Sequence, residues 1–152
     1  MPRLAFVILL GVAVLLAGCA VSLPSQQHPV CSWDSQPPKN AQLICDSTFR
    51  TLRALIKAVV HNDRRAIRHL VTNPRVVKRI EAYGTLRRGQ GIVYLHIVPS
   101  LTLELTKQSY IGAGFFVTGK THQGNVSDQE VLYLLLHHGT ALVAEDQPNQ
   151  IW

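Results

Sequence analysis

Marks of chemistry are scarce in this chain, and acidic residues are few. Of 152 residues only nine are Asp or Glu, charged residues make up 16%, and 47% are hydrophobic. That balance excludes a disordered chain, which needs high charge and little apolar content. There is no Gly-rich phosphate loop ending in Lys-Ser/Thr, no Gly-x-Ser-x-Gly and no Gly-x-Gly-x-x-Gly. The nearest approach, Gly112-Ala113-Gly114, lacks the last glycine and sits in a strand-like run. The three cysteines include no Cys-x-x-Cys pair, which argues against a zinc ribbon. Basic residues are not interleaved with aromatics, so nucleic acid is not an expected partner. The first apolar run, Leu4 to Ala17, covers 14 residues. As a helix it would measure about 21 Å, short of a hydrocarbon core of about 30 Å.

What is present begins at that run. Met1-Pro2-Arg3 carries one positive charge, and the short apolar core after it reads as an export signal rather than a membrane span. The core ends in Leu16-Ala17-Gly18-Cys19. This resembles the lipobox of bacterial lipoproteins at every position. The resemblance implies a diacylglycerol on the Cys19 thiol, cleavage before it, and a mature chain starting at Cys19. Several acyl chains give stable anchoring where one would be marginal. An ordinary secretory signal with a coincidental cysteine is the competing reading. Ala20 is not the Asp that usually marks inner-membrane retention in diderm bacteria. The expected location is therefore the outer membrane in a diderm cell, or the outer face of the plasma membrane in a monoderm.

Charge is unevenly placed along the rest. The formal net charge is +6, and from Arg50 to Arg88 eleven Arg and Lys face only Asp63 and Glu81. From Gly89 onward Lys107 and Lys120 are outnumbered by five carboxylates. A basic half suits an anionic membrane surface in an anchored protein, and a merely solvated helical face is the plainer alternative.

Val21 to Asn40 is rich in Pro, Ser and Gln and reads as a tether, with a short ordered stretch near Trp33. Cys31 and Cys45 remain after Cys19. An isolated pair outside the cytoplasm is expected to oxidise to a disulfide; two free thiols or a metal site are the alternatives. The expected organisation is residues 1–18 as signal, 19–45 as lipidated cysteine and tether, and 46–152 as one domain.

Within that domain, Asp46-Ser47-Thr48 offers N-cap chemistry before Phe49, Leu52, Ile56, Val59 and Val60, whose spacing predicts a helix to about His61. Asn62-Asp63 turns the chain into a second helix carrying Ala66, Ile67, Leu70 and Val71. Pro74 opens a third helix with Val76, Val77 and Ile80, and Gly84 is placed to end it. After Gly89 the apolar period changes to two. Strands are predicted at Ile92–Val98, Leu101–Leu105, Tyr110–Thr118 with a bend or bulge at Gly112 or Gly114, Glu130–His137 and Ala141–Ala144. Gly119–Asp128 is predicted as a polar loop. Helices followed by antiparallel strands give an α+β class, with helices on one face of a curved sheet.

This order resembles the NTF2-like (SnoaL-like) superfamily over roughly residues 46–152. The resemblance rests on the opening helix, on Val60-His61-Asn62-Asp63, and on Gly119 to Gly124, Val131 to Leu136 and Gly139 in the late strands. It departs in lacking an aromatic near Leu142, and a cystatin-like or other α+β roll is the alternative. The resemblance implies a cone-shaped pocket between helix and concave sheet, and a homodimer formed through the sheet. Tyr94 and His96, at i and i+2 on one strand, are the candidate polar corner of that pocket, with Tyr110 and Tyr133 beside them. An isomerase or hydratase with His96 as base and Tyr94 as donor would use these residues. No carboxylate can be paired with His96 from sequence, so a non-catalytic domain binding a small apolar ligand or an envelope protein is the first expectation. No cofactor or metal is expected. His137-His138 point to opposite strand faces, and His61 and His69 fall on separate helices.

Overall fold

The computed structural model describes residues 28–145. The lipobox, Cys19, the export signal and Trp152 lie outside the described residues. The chain runs β1 (Val30–Trp33), α1 (Ala41–His61), α2 (Arg64–Leu70), α3 (Pro74–Gly89), β2 (Ile92–Ile97), β3 (Ser100–Leu105), β4 (Ile111–Thr121), β5 (Gly124–His137) and β6 (Thr140–Glu145). The class is α+β, three helices against a strongly curled sheet. β3, β4, β5 and β6 follow as an antiparallel meander, and β1 adds to β3 in parallel. β2 and β3 lie end to end along the same edge of β4. Val98 and Pro99 separate them, and the Val98 N–H still reaches the Phe116 carbonyl at 3.0 Å.

Each helix boundary has a local cause. α1 ends at Asn62, which takes a left-handed φ of 55° and returns its N–H to the Ala58 and Val59 carbonyls. Asp63 then caps α2, accepting the Ala66 N–H at 2.9 Å. Asn73 caps α3 through the Arg75 N–H at 2.9 Å, one residue before Pro74.

α1 touches β2 and β3 at one end of the sheet and β6 at the other. A straight helix can meet both ends only if the sheet wraps around it, so α1 lies in the concavity. Leu52, Val59 and Ile67 from the helices join Leu101, Leu103, Ile111, Val117, Leu134 and Val143 from the strands in one core. Burying a Leu or Val of this kind stabilises by about 1.5–3 kcal/mol.

The outer edge of β6 is closed by side chains of α1. Ser47 Oγ donates to the Gly139 carbonyl at 3.1 Å and accepts the Ala141 N–H at 2.9 Å. One turn on, Thr51 Oγ1 donates to the Ala141 carbonyl at 2.6 Å. The Thr72 N–H then takes the Val143 carbonyl at 2.8 Å, beside a parallel bridge between Val71 and Val143. An edge that would present unpaired backbone groups is thereby satisfied. At the opposite edge, Cys31 of β1 and Cys45 of α1 form a disulfide with their Cα atoms 6.0 Å apart. The expected pairing is therefore present.

Four local expectations are corrected. α1 begins at Ala41, so Asp46-Ser47-Thr48 is interior to the helix rather than its cap. Ile44 and Cys45 already share the buried face, and the Ser47 hydroxyl serves β6 instead of its own backbone. β1 falls where a short ordered stretch near Trp33 is expected. Gly84 does not end α3. It lies where α3 meets α1, and a Cβ there would come within 3.2 Å of Val59 Cγ1. Gly91, at φ +71°, follows the true end of that helix. The Gly119–Asp128 loop is instead a two-residue turn, His122-Gln123, between long strands paired from Ile111↔Leu134 to Thr121↔Gly124. Finally, β4 is regular at Gly112 and Gly114, and the register shifts fall at Ile92/Tyr94 and Tyr133/Leu134. Gly119 marks a close approach, since a Cβ there would lie 2.2 Å from the Tyr94 carbonyl oxygen.

Replacing Thr51 by Val keeps the shape but leaves the Ala141 carbonyl without this donor. The expected loss is about 1–3 kcal/mol of unfolding free energy, read by urea denaturation. Reducing the disulfide, which closes a loop of sequence separation 14, should remove about 3 kcal/mol more. Unchanged midpoints would show that neither sheet edge depends on α1.

Candidate functional site

Alternation along β2 places Leu95 and Ile97 toward the core and Tyr94 and His96 on the outer face. The two rings do share a strand face, as expected, and stack with centroids 5.9 Å apart. That face is turned away from the concavity: Tyr94 is 51% exposed. His96 Nε2 lies 2.9 Å from Thr118 Oγ1 across the strand pair. Neither residue faces the interior between helix and sheet.

Tyr133 is also on the outer face, opposite Gly112, which in turn opposes Glu104. A Cβ at Gly112 would meet Glu104 Cγ at 2.6 Å and Tyr133 Cε1 at 3.0 Å. The glycine is the gap across which carboxylate and phenol meet. Burial raises the Tyr133 pKa, and the charge of Glu104 and its hydrogen bond raise it further. Tyr110 precedes β4, its N–H on Thr106 Oγ1 at 3.0 Å, and is not brought together with Tyr94 and His96. The outer face also exposes Phe116, Val131 and Leu135.

The tightest polar constellation among the described residues joins α3 to β5. Tyr83 and Arg87 are one turn apart on α3, so both point at the inward-facing Asp128. Tyr83 donates its O–H to Asp128 Oδ2 at 2.8 Å, and Arg87 Nη2 meets the same oxygen at 2.5 Å. Arg87 Nη1 donates to Gln90 Oε1 at 2.9 Å, and its guanidinium lies 5.3 Å from the Tyr83 ring centre. Burial pushes the Tyr83 phenol up to about 12, and its bond to Asp128 adds to this, with Arg87 acting in the opposite direction. The phenol is therefore a neutral donor near neutral pH, committed to the carboxylate. Both side chains of the ion pair are largely shielded, at 17% and 23% exposure. The arrangement clamps the third helix onto the sheet. Sequence reading missed it because Asp128 fell in the expected loop.

The helical side is cationic. Arg50, Arg53 and Lys57 are exposed on α1, and Arg64, Arg65 and Arg68 on α2. Arg68 lies 4.0 Å from Glu81, and Arg79 3.9 Å from Glu130. Such partly exposed pairs at the limit of contact contribute little. No group of three or more potential metal ligands occurs among the described residues, and no described helix is long and apolar enough to cross a membrane. No family model, curated protein or solved structure matches the chain.

The raised Tyr83 pKa has a sign that can be tested. The folded state holds the phenolic proton more tightly than the unfolded state, whose pKa is near 10. Stability from this source is complete below pH 10 and is lost as the pH rises toward 12. Discounted for partial exposure, the loss is about 1–2 kcal/mol. Tyr83→Phe should flatten this alkaline limb of the denaturation profile; an unchanged limb would mean that Tyr83 does not carry it.

Proposed function

We propose that this chain is a bacterial lipoprotein precursor, anchored at Cys19, whose folded domain works by surface binding at the cell envelope. The observation that carries the anchor is Leu16-Ala17-Gly18-Cys19 directly after a short apolar run. The Cys31–Cys45 disulfide agrees with export, since such bonds persist in oxidising compartments. Helices held in a curled sheet support the NTF2-like reading of the domain.

Binding rather than turnover is favoured by where the side chains fall. Tyr94 and His96, the pair on which a general-base mechanism would rest, stand on the outer face. α1 occupies the concavity with Leu52, Leu55 and Ile56 buried there. Two surfaces remain as contact faces: the cationic helical side, and the outer sheet with Phe116, Val131 and Leu135. A second copy, an envelope protein or a small apolar molecule would meet the latter.

The anchor is tested by feeding cells a clickable fatty acid and mapping the amino terminus of the purified protein by mass spectrometry. The expected product begins at Cys19 and carries the lipid. Cys19→Ala should lose all fatty-acid label and accumulate as uncut precursor. Cleavage at another bond, or label persisting in that variant, would refute the lipoprotein reading.

A further inference from the structure

We infer that the exposed stripe of α1, continued by the first turn of α2, is a docking surface for an anionic lipid bilayer. The inference takes its setting from the proposed anchor, but its chemistry comes from the helices. α1 buries most of its circumference and leaves one narrow stripe in solvent. Arg50, Arg53, Ala54, Lys57 and His61 lie on that stripe. Arg50 and Lys57 are about 10 Å apart along the axis at 1.5 Å per residue. Three residues beyond His61, Arg64 and Arg65 open α2, both exposed. The chain thus keeps five exposed cations within the stretch from Arg50 to Arg65.

Little in the described structure cancels this charge. Asp63 is the one carboxylate within the segment, and it is committed to capping α2. Asp46 accepts the Gln42 amide at 3.0 Å, one turn ahead of Arg50. Of the other described carboxylates, Asp128 meets Tyr83 and Arg87, Glu145 meets Asn73, Glu104 meets Tyr133, Glu130 lies beside Arg79 and Glu81 beside Arg68, while Asp34 follows β1. Arg53 lies 5.6 Å from the Phe49 ring centre, but that ring is buried; a row of cations without exposed aromatic platforms recognises charge density rather than shape, which suits a fluid anionic surface better than a nucleic acid strand.

The way the domain is tethered agrees. Cys19 precedes Val30 by eleven residues, a reach of at most about 40 Å when extended. The disulfide joins the strand at that end to Cys45, five residues before Arg50 on the same helix. A lipid on Cys19 would therefore hold the α1 stripe within a short distance of the leaflet. Even weak electrostatic contacts are then strengthened by a high effective concentration.

The test uses the mature lipidated protein with Ala54→Cys, labelled with a spin label between Arg53 and Lys57. It is placed on phosphatidylcholine vesicles with or without phosphatidylglycerol. The label should be shielded from an aqueous relaxing agent only on the anionic vesicles. That shielding should vanish as salt shortens the screening length from about 10 Å to about 3 Å, while the protein stays attached. Arg50→Glu with Arg53→Glu and Lys57→Glu should lower the docked-to-free ratio at least about a hundredfold. Lys120→Glu on the sheet should leave it unchanged. A label that stays accessible on anionic vesicles, or is shielded regardless of lipid charge and salt, overturns the proposal. So does shielding that appears only when an envelope extract is added, which would point to an acidic protein partner. If salt releases the protein from the vesicles altogether, the docking surface stands and the Cys19 anchor fails.

Discussion

The fold depends on one helix being fastened to both edges of a curled sheet. At β6 the fastening is a pair of hydroxyls, Ser47 and Thr51, bonded to backbone groups of Gly139 and Ala141. At β1 it is the bond between Cys31 and Cys45. Polar side chains on the buried face of a helix are costly unless satisfied. For Ser47 and Thr51 the partners are the edge groups that would otherwise be open to another chain. The same contacts that solvate Ser47 and Thr51 therefore set how far the sheet wraps and protect its last strand.

Once α1 occupies the concavity, the other placements follow. Inward positions of the strands belong to the core or, toward the β4–β5 hairpin, to the polar clamp of Asp128 with Tyr83 and Arg87. Outward positions carry the aromatic, apolar and hydrogen-bonding groups of β2, β4 and β5. Two glycines permit close approach: Gly84 where α3 meets α1, and Gly119 where β2 crosses β4. The wrapped core leaves two sides to solvent, one cationic and one largely neutral.

Much of the secondary structure was legible in the chain because local causes agree with global ones. The three-four spacing from Phe49 to Val60, the Asp63 cap and Pro74 all read correctly, and so did the alternation of Leu101 and Leu103. The errors share a cause. Asp46-Ser47-Thr48 looked like a cap because hydroxyls favour helix ends, yet tertiary partners outcompeted the local backbone. Gly119–Asp128 looked like a loop because its residues are polar. A long hairpin tolerates polar residues where one face is in water and the other meets charged groups of a packed helix. Gly112 looked like a bulge, whereas its missing side chain makes room for Glu104 and Tyr133.

The sequence by itself determined the pairing partner for each described cysteine, the basic character of the helices and the α+β class. Each of these is written in contiguous residues or in simple counting. Only the tertiary structure decided which face of β2 is inside. Periodicity of two says that Tyr94 and His96 share a face, but it carries no sign. The sign came from the Leu95 and Ile97 side chains meeting the core around α1. The Tyr83–Arg87–Asp128 clamp was likewise decided in three dimensions, because Asp128 is more than forty residues from the other two and meets them only once α3 lies across the hairpin.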